Sequence, residues 1–134
     1  MTKEEFDAIL EHKSFNTQVD AIVEAIESEW FTPAHVIWAL NKPSLLVQVA
    51  AVRGKSFRDE HMSHVFNYCV STVRIAAIKS DVFSDKWMMR ALGDNHYDVV
   101  CAAISSPVFN EKWLEWAMEN GRQSVKTLAL ARLK

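Results

Sequence analysis

FTPAHVIWALNKPSLLVQVAAVRGKS (residues 31–56), FRDEHMSHVFNYCVSTVRIAAIKSDV (57–82), FSDKWMMRALGDNHYDVVCAAISSPV (83–108) and FNEKWLEWAMENGRQSVKTLALARLK (109–134) align without a gap. Each line has 26 residues and opens on a phenylalanine: Phe31, Phe57, Phe83 and Phe109. A fixed period between roughly 20 and 50 residues marks a stacked array, in which each unit buries its apolar face against the next. Numbering each line from its Phe gives columns. Column 6 is Val36, Met62, Met88 and Leu114; column 10 is Leu40, Phe66, Leu92 and Met118; column 17 is Val47, Val73, Val99 and Val125. Column 21 is alanine throughout, and column 22 is Val52, Ile78, Ile104 and Leu130.

The columns predict two helices per line. Column 2 (Thr32, Arg58, Ser84, Asn110) supplies N-caps in three lines of the four, and Pro33 follows Thr32 at a position where its missing N–H is harmless. The Phe before the cap and the apolar residue of column 6 then form a hydrophobic staple. Columns 5, 6, 9 and 10 make the buried stripe of the first helix. Turn chemistry falls near columns 11 to 14, as in Asn41-Lys42-Pro43-Ser44 and Gly93-Asp94-Asn95-His96. The second line has only Asn67-Tyr68-Cys69-Val70 there, which predicts a longer first helix or an irregular corner. The second helix covers columns 15 to 24 and is apolar nearly all round, the pattern of an inner helix between layers.

Residues 1–30 do not keep the register. They predict helices at about 4–12 and 17–28, the second capped by Asn16 or Thr17, and read as a degenerate repeat closing one end of the stack. Charge divides with this boundary. Residues 1–30 hold eight acids against Lys3 and Lys13; residues 31–134 hold nine acids against thirteen Lys and Arg. An overall charge of −2 therefore conceals an acidic cap on a mildly basic array of four repeats, 31–134, within one continuous domain. The last repeat carries no distinct cap: it is tolerated open, pairs with a partner, or belongs to a longer array. Arg132 and Lys134 there suit the dipole of a helix C-terminus.

Val73-Arg74-Ile75-Ala76-Ala77-Ile78, Val47-Gln48-Val49-Ala50-Ala51-Val52 and Arg90-Ala91-Leu92-Gly93-Asp94 give the array a resemblance. It is similar to HEAT-type helical repeats and to their shorter leucine-rich-repeat variant. The resemblance covers residues 31–134. It implies an all-α fold, a short α-solenoid of stacked antiparallel helix pairs with second helices on the concave side. Binding on a concave face or ridge is what it implies for function, in accessory proteins of bacterial or phage type.

Three groups are candidate sites. Column 8 (Trp38, His64, Arg90, Trp116) borders the buried stripe of the first helices, and column 5 (His35, His61, Trp87, Trp113) lies one turn earlier, on the core side. Trp, Tyr and Arg dominate binding hot spots. A polar strip on the second helices holds Gln48, Arg74 and Lys126, with Arg53, Lys55, Lys79, His96 and Arg122 beside it. Arg53, Arg74, Lys79, Arg122 and Lys126 together suit an acidic protein surface, or the phosphates of a nucleic acid, whose binding demands denser positive charge. His61 and His64 are three apart on a helix, but no Cys or acid completes a metal set.

Chemistry is thinly represented. The three glycines are scattered, so no phosphate-cradling loop forms, and no Gly-x-Ser-x-Gly motif occurs. A branch of the HEAT-like proteins excises damaged DNA bases; Asp98, Trp87 and Arg74 do not converge in columns for that role. Cys69 and Cys101 lack metal spacing and read as buried, reduced thiols of a cytoplasmic chain. No apolar run reaches the roughly 18–20 residues of a membrane span, and Met1-Thr2-Lys3-Glu4-Glu5 lacks the form of a secretory signal. The expectation is therefore a protein–protein interaction module, an adaptor or inhibitor-type accessory protein with no catalytic residue, metal or cofactor. It is either a monomer or an end-to-end homo-oligomer; the alternative is a nucleic-acid-binding array.

Overall fold

The computed structural model describes residues 1–133, and Lys134 lies outside them. Among the described residues the secondary structure is entirely helical. Ten α-helices follow in order: α1 (Lys3–His12), α2 (Phe15–Ala25), α3 (Pro33–Leu40), α4 (Leu45–Arg53), α5 (Met62–Tyr68), α6 (Ser71–Ile78), α7 (Asp85–Leu92), α8 (Tyr97–Ser105), α9 (Glu111–Asn120) and α10 (Gln123–Leu133). A 3₁₀ turn, Asp59–His61, leads into α5. The irregularity expected in the second line thus lies at the start of its first helix as well as at the Cys69-Val70 corner.

The punctuation follows the columns. Thr32, Arg58, Ser84 and Asn110 all occupy cap positions with extended backbone. Asn110 accepts the Trp113 N–H on its side chain. Thr32 and Arg58 are served differently: their backbone N–H groups donate to Nδ1 of His35 and His61, at 3.0 and 2.9 Å. Helices α2, α4, α6 and α8 end in the same turn. The N–H groups of Phe31, Phe57, Phe83 and Phe109 donate to the carbonyls of Ser28, Gly54, Ser80 and Ser106 at 3.0–3.3 Å. Gly54 is needed there, because a Cβ at that position would lie 2.5 Å from Cγ2 of buried Ile26.

That recurring turn also explains residues 1–30. Ser28 stands twenty-six positions before Gly54, but the caps Thr2 and Thr32 stand thirty apart. The four additional residues amount to about one α-helical turn, and α2 has 11 residues where α4 has 9. Ser14, whose hydroxyl accepts from Thr17, therefore caps α2, and not Asn16 or Thr17.

The chain packs as two compact units, Met1–His64 and Val65–Lys134, with the division inside α5. In the first, α1 packs on α2, α3 on α4, and α2 on α4. In the second, α7 packs on α8, α9 on α10, α6 on α8, α8 on α10 and α7 on α9. Within each unit the second helices adjoin one another, α2 with α4 in the first and α6 with α8 and α8 with α10 in the second. The four Phe of column 1, the valines of column 17 and the alanines of column 21 are buried, as the staple and the inner stripe require. The second helices are not sheathed all round, however. Val49, Ile75 and Cys101 of column 19 are half-buried, so this side faces partly outward. Cys69 is buried and Cys101 half-buried, both as free thiols.

Candidate functional site

The corners between first and second helices in the second unit hold the most concentrated chemistry. Asp94, just beyond α7, is an acid with a side chain only 4% exposed. Its Oδ1 accepts the His96 N–H at 2.9 Å, which tightens the turn, and the Arg74 Nη2 at 3.0 Å. Arg74 Nε lies 2.8 Å from Oδ2, an ion-pair contact without hydrogen-bond alignment. The same guanidinium donates through Nη1 to the Cys69 carbonyl at 2.7 Å. One side chain of α6 thereby ties the corner at Cys69 to the corner at Asp94. Arg122 adds a third, donating through Nη2 to the Asp94 carbonyl at 3.0 Å. Burial pushes the Cys69 thiol above its ordinary range, an effect the nearby Arg74 charge opposes.

Fixed corners display apolar groups outward. Tyr68 is 76% exposed, Val70 57% and Tyr97 48%. Tyr68 and Val70 flank the Cys69 carbonyl that Arg74 holds, and Tyr97 opens α8 three residues beyond Asp94. Desolvation, first, and the neighbouring Cys101 keep the Tyr97 hydroxyl above its usual range.

Column 5 acts as a clasp. With its Nδ1 accepting from Arg58, the neutral His61 ring carries its hydrogen on Nε2 and donates to the Pro33 carbonyl, one repeat earlier, at 2.9 Å. In the second unit Trp113 does the same work: its Nε1 donates to Oδ1 of Asp85 at 2.6 Å, and Lys112 donates to Oδ2 at 2.7 Å. His61 and Trp113 are buried; His35 and Trp87 are half-buried, so the core assignment of column 5 is complete only in alternate repeats. The Lys112 and then the Trp113 hydrogen bonds hold the Asp85 carboxyl below its usual range. A folded pKa lowered in this way stabilises the fold above the unfolded carboxylate range, and that contribution is lost as pH falls through the folded value. Asp85→Asn is accordingly expected to melt lower than wild type at neutral pH, with the gap closing below about pH 4; thermal melts across pH check this.

The sequence candidates are distributed as follows. Trp38 is half-buried, with the Phe6 ring 5.9 Å away edge-on and the Lys42 ammonium 4.2 Å over its face. It lines a cleft of about 260 Å³ with Phe6, Leu10, Trp30 and His35. His64 is half-buried on α5. Arg90 is exposed but donates to the Phe66 carbonyl at 2.8 Å. Trp116 is half-buried, edge-on to Trp113 at 6.2 Å. Arg53 is exposed beside a cleft of about 290 Å³ between α2 and α4. Lys79 is exposed beside one of about 360 Å³ lined by Phe83, Ala102 and Val108. Lys126 is half-buried on α10. Lys55, at the strip's edge, donates to the Glu27 carbonyl at 2.9 Å. Within the second unit the structure brings Arg74 and Arg122 together, but on Asp94 and not on an open basic strip.

Asp94 itself was not a sequence candidate: the sequence places it only in a turn. The available signal was an Arg in column 18 of one line above an Asp in column 12 of the next. Among the described residues no cluster of His, Cys, Asp and Glu is placed to hold a metal, and no helix is long and apolar enough to cross a membrane. Compared with models of known families, with curated proteins and with solved structures, the chain shows no match.

Proposed function

We propose that the chain is a non-enzymatic protein-binding module, a short HEAT-like array that grips its partner along the helix corners of residues 65–134. The observation that carries this reading is the pairing of rigidity with exposure. Arg74 and Arg122 fix three successive corners on Asp94, and Tyr68, Val70 and Tyr97 stand outward on that fixed backbone. A preorganised aromatic anchor loses little entropy on binding, and Tyr and Arg are the side chains that dominate interface energies. The half-buried Trp38 and Trp116 lean on Phe6 and Trp113, so the aromatic ridge of column 8 contributes mainly packing in this reading. Arg74, Arg90 and Arg122 spend donors on backbone carbonyls, which weakens the nucleic-acid alternative.

The test is partner capture by the tagged chain, with and without nuclease, against Tyr68→Ser with Tyr97→Ser. Both tyrosines are exposed, so helicity and melting are expected to hold. Capture is expected to survive nuclease and to fall at least about tenfold in the double variant, or about 1.4 kcal/mol. Equal capture by the variant would move the interface elsewhere, and capture abolished by nuclease would favour nucleic acid.

A further inference from the structure

The first unit holds an aromatic cleft that the corner reading does not use. Its volume is about 260 Å³, below the roughly 300–1,000 Å³ of sites that enclose a whole drug-sized ligand, so it takes one group the size of a side chain. Phe6, on α1, is its buried member; Trp30, ahead of α3, and Trp38, on α3, stand half-buried beside it. Their ring centroids lie 5.1 and 5.9 Å from that of Phe6, with the ring planes inclined at 43° and 77°. His35 stands at 88° to Trp30. Rings inclined in this way make a cup and not a stack, and their electron-rich faces attract a cation. One of them already carries an ammonium: Lys42 Nζ lies 4.2 Å over the Trp38 ring, and Lys42 does not line the cleft.

The lining decides which cation fits. Nδ1 of His35 accepts from the Thr32 N–H at 3.0 Å, so its other ring nitrogen carries a hydrogen. The Trp30 Nε1 donates to the Met1 carbonyl at 3.2 Å. Among the side chains that line the cleft, this leaves only Asp7, exposed at the rim, as an acceptor. A primary ammonium or a guanidinium among the rings would lose its hydrogen bonds to water without replacement. A quaternary ammonium has no N–H to lose and meets the rings with methyl groups. Asp7 supplies the countercharge: it is paired with Lys3 at 3.2 Å, but both side chains are more than half exposed, and such a pair is weak enough to exchange. Glu4 and Glu11, about one turn to either side of Asp7 on α1, extend the acidic rim. An acidic strip beside the cup suits a basic chain that carries the cation, and not a free small molecule.

We propose that this cleft binds a trimethylated lysine side chain of a basic peptide segment, with the quaternary ammonium among Phe6, Trp30 and Trp38 and the flanking residues along Glu4, Asp7 and Glu11. The proposal does not rest on the corner reading. The cleft belongs to residues 1–64 and the corners to 65–134, so Tyr68→Ser with Tyr97→Ser is expected to leave this binding unchanged.

The test is calorimetric titration of the whole chain, to about 1 mM, with three short peptides of Arg, Ala and Ser. They differ in one central side chain: trimethyllysine, unmodified lysine, or the neutral isostere in which carbon replaces the ammonium nitrogen. The trimethyllysine peptide is expected to bind at least about tenfold more tightly than either of the others. Asp7→Asn and Trp38→Phe, each expected to keep the wild-type helicity, are expected to weaken it at least about threefold, since one removes the countercharge and the other the better cation receptor. The neutral isostere binding as well as the cation would reduce the cleft to an apolar slot and overturn the proposal. Free choline binding as tightly as the peptide would overturn the assignment to a peptide. No binding of the trimethyllysine peptide, or binding indifferent to both substitutions, would overturn the site itself.

Discussion

Arg74→Ala is expected to destabilise the fold by about 3–5 kcal/mol, the cost of breaking a buried pair by removing one member. The Asp94 side chain is 4% exposed and that of Arg74 18%. Removing the guanidinium leaves a carboxylate in place with only the His96 N–H to serve it, and strips the Cys69 carbonyl of a donor. Two corners loosen together, since one side chain held both. Urea unfolding monitored by far-ultraviolet circular dichroism measures the loss. Arg74→Met with Asp94→Asn is expected to recover more than half of it: the amide keeps an acceptor for His96, and no charge is left unpaired. Replacing a buried ion pair by neutral groups is often close to neutral in free energy. A single Arg74→Ala variant within about 1 kcal/mol of wild type, the scale of an exposed pair, would mean that water reaches Asp94 and that the corners are not held by this contact.

The same residue shows where reading the sequence stops. Column 18 contains Gln48, Arg74, Val100 and Lys126, and an amphipathic reading assigns all polar members to a solvent-facing strip. Periodicity tells which side of a helix a residue occupies, but not how far a long side chain reaches. Arg74 sits half-buried at the strip's edge and spans to the next corner, and Gln48 bends back to the Lys42 carbonyl at 2.7 Å. Both satisfy turn carbonyls, a demand created by corners that meet only in three dimensions. Asp94 was hidden for the complementary reason: it stands in a turn, and its burial depends on Arg74 of α6 and on Arg122, just before α10, reaching its carboxylate and its carbonyl.

Helices were far more legible. Their caps, staples and stripes are local, and the 26-residue register repeats each of them four times, so that a weak signal such as Arg58 in a cap column is corrected by its neighbours. The columns located α4, α6 and α8 within a residue or two at each end. They failed in residues 1–30, where four added residues between the Ser14 cap and Ser28, two of them in α2, shift the phase and remove the comparison on which the reading depends. They also overestimated the burial of column 19, because an apolar residue on a short second helix satisfies the pattern whether or not a layer lies above it.

Column 17 supplies the second large effect. Val73 is fully buried on α6, against α8. Val73→Asp places a carboxylate there without a cation assigned to it, and the cost of burying an unpaired charge exceeds the few kcal/mol of most substitutions. Domains of this size are stable by roughly 5–15 kcal/mol, so much of the helical signal is expected to disappear at room temperature, while Thr72→Asp, on the exposed neighbour, leaves the melt unchanged. The four valines then form a series. Val47 and Val99 are as buried as Val73, and Val125 is 2% exposed, but α10 has an open outer side where Leu130 is 38% exposed. Val125→Asp is therefore expected to cost less than the other three, since the exposed side of α10 lets the helix tilt and bring the carboxylate to water. Equal losses at all four positions would mean that burial of column 17 is set within each helix pair alone. A melting temperature unchanged by Val73→Asp would place that column in solvent and contradict the packing of α6 on α8.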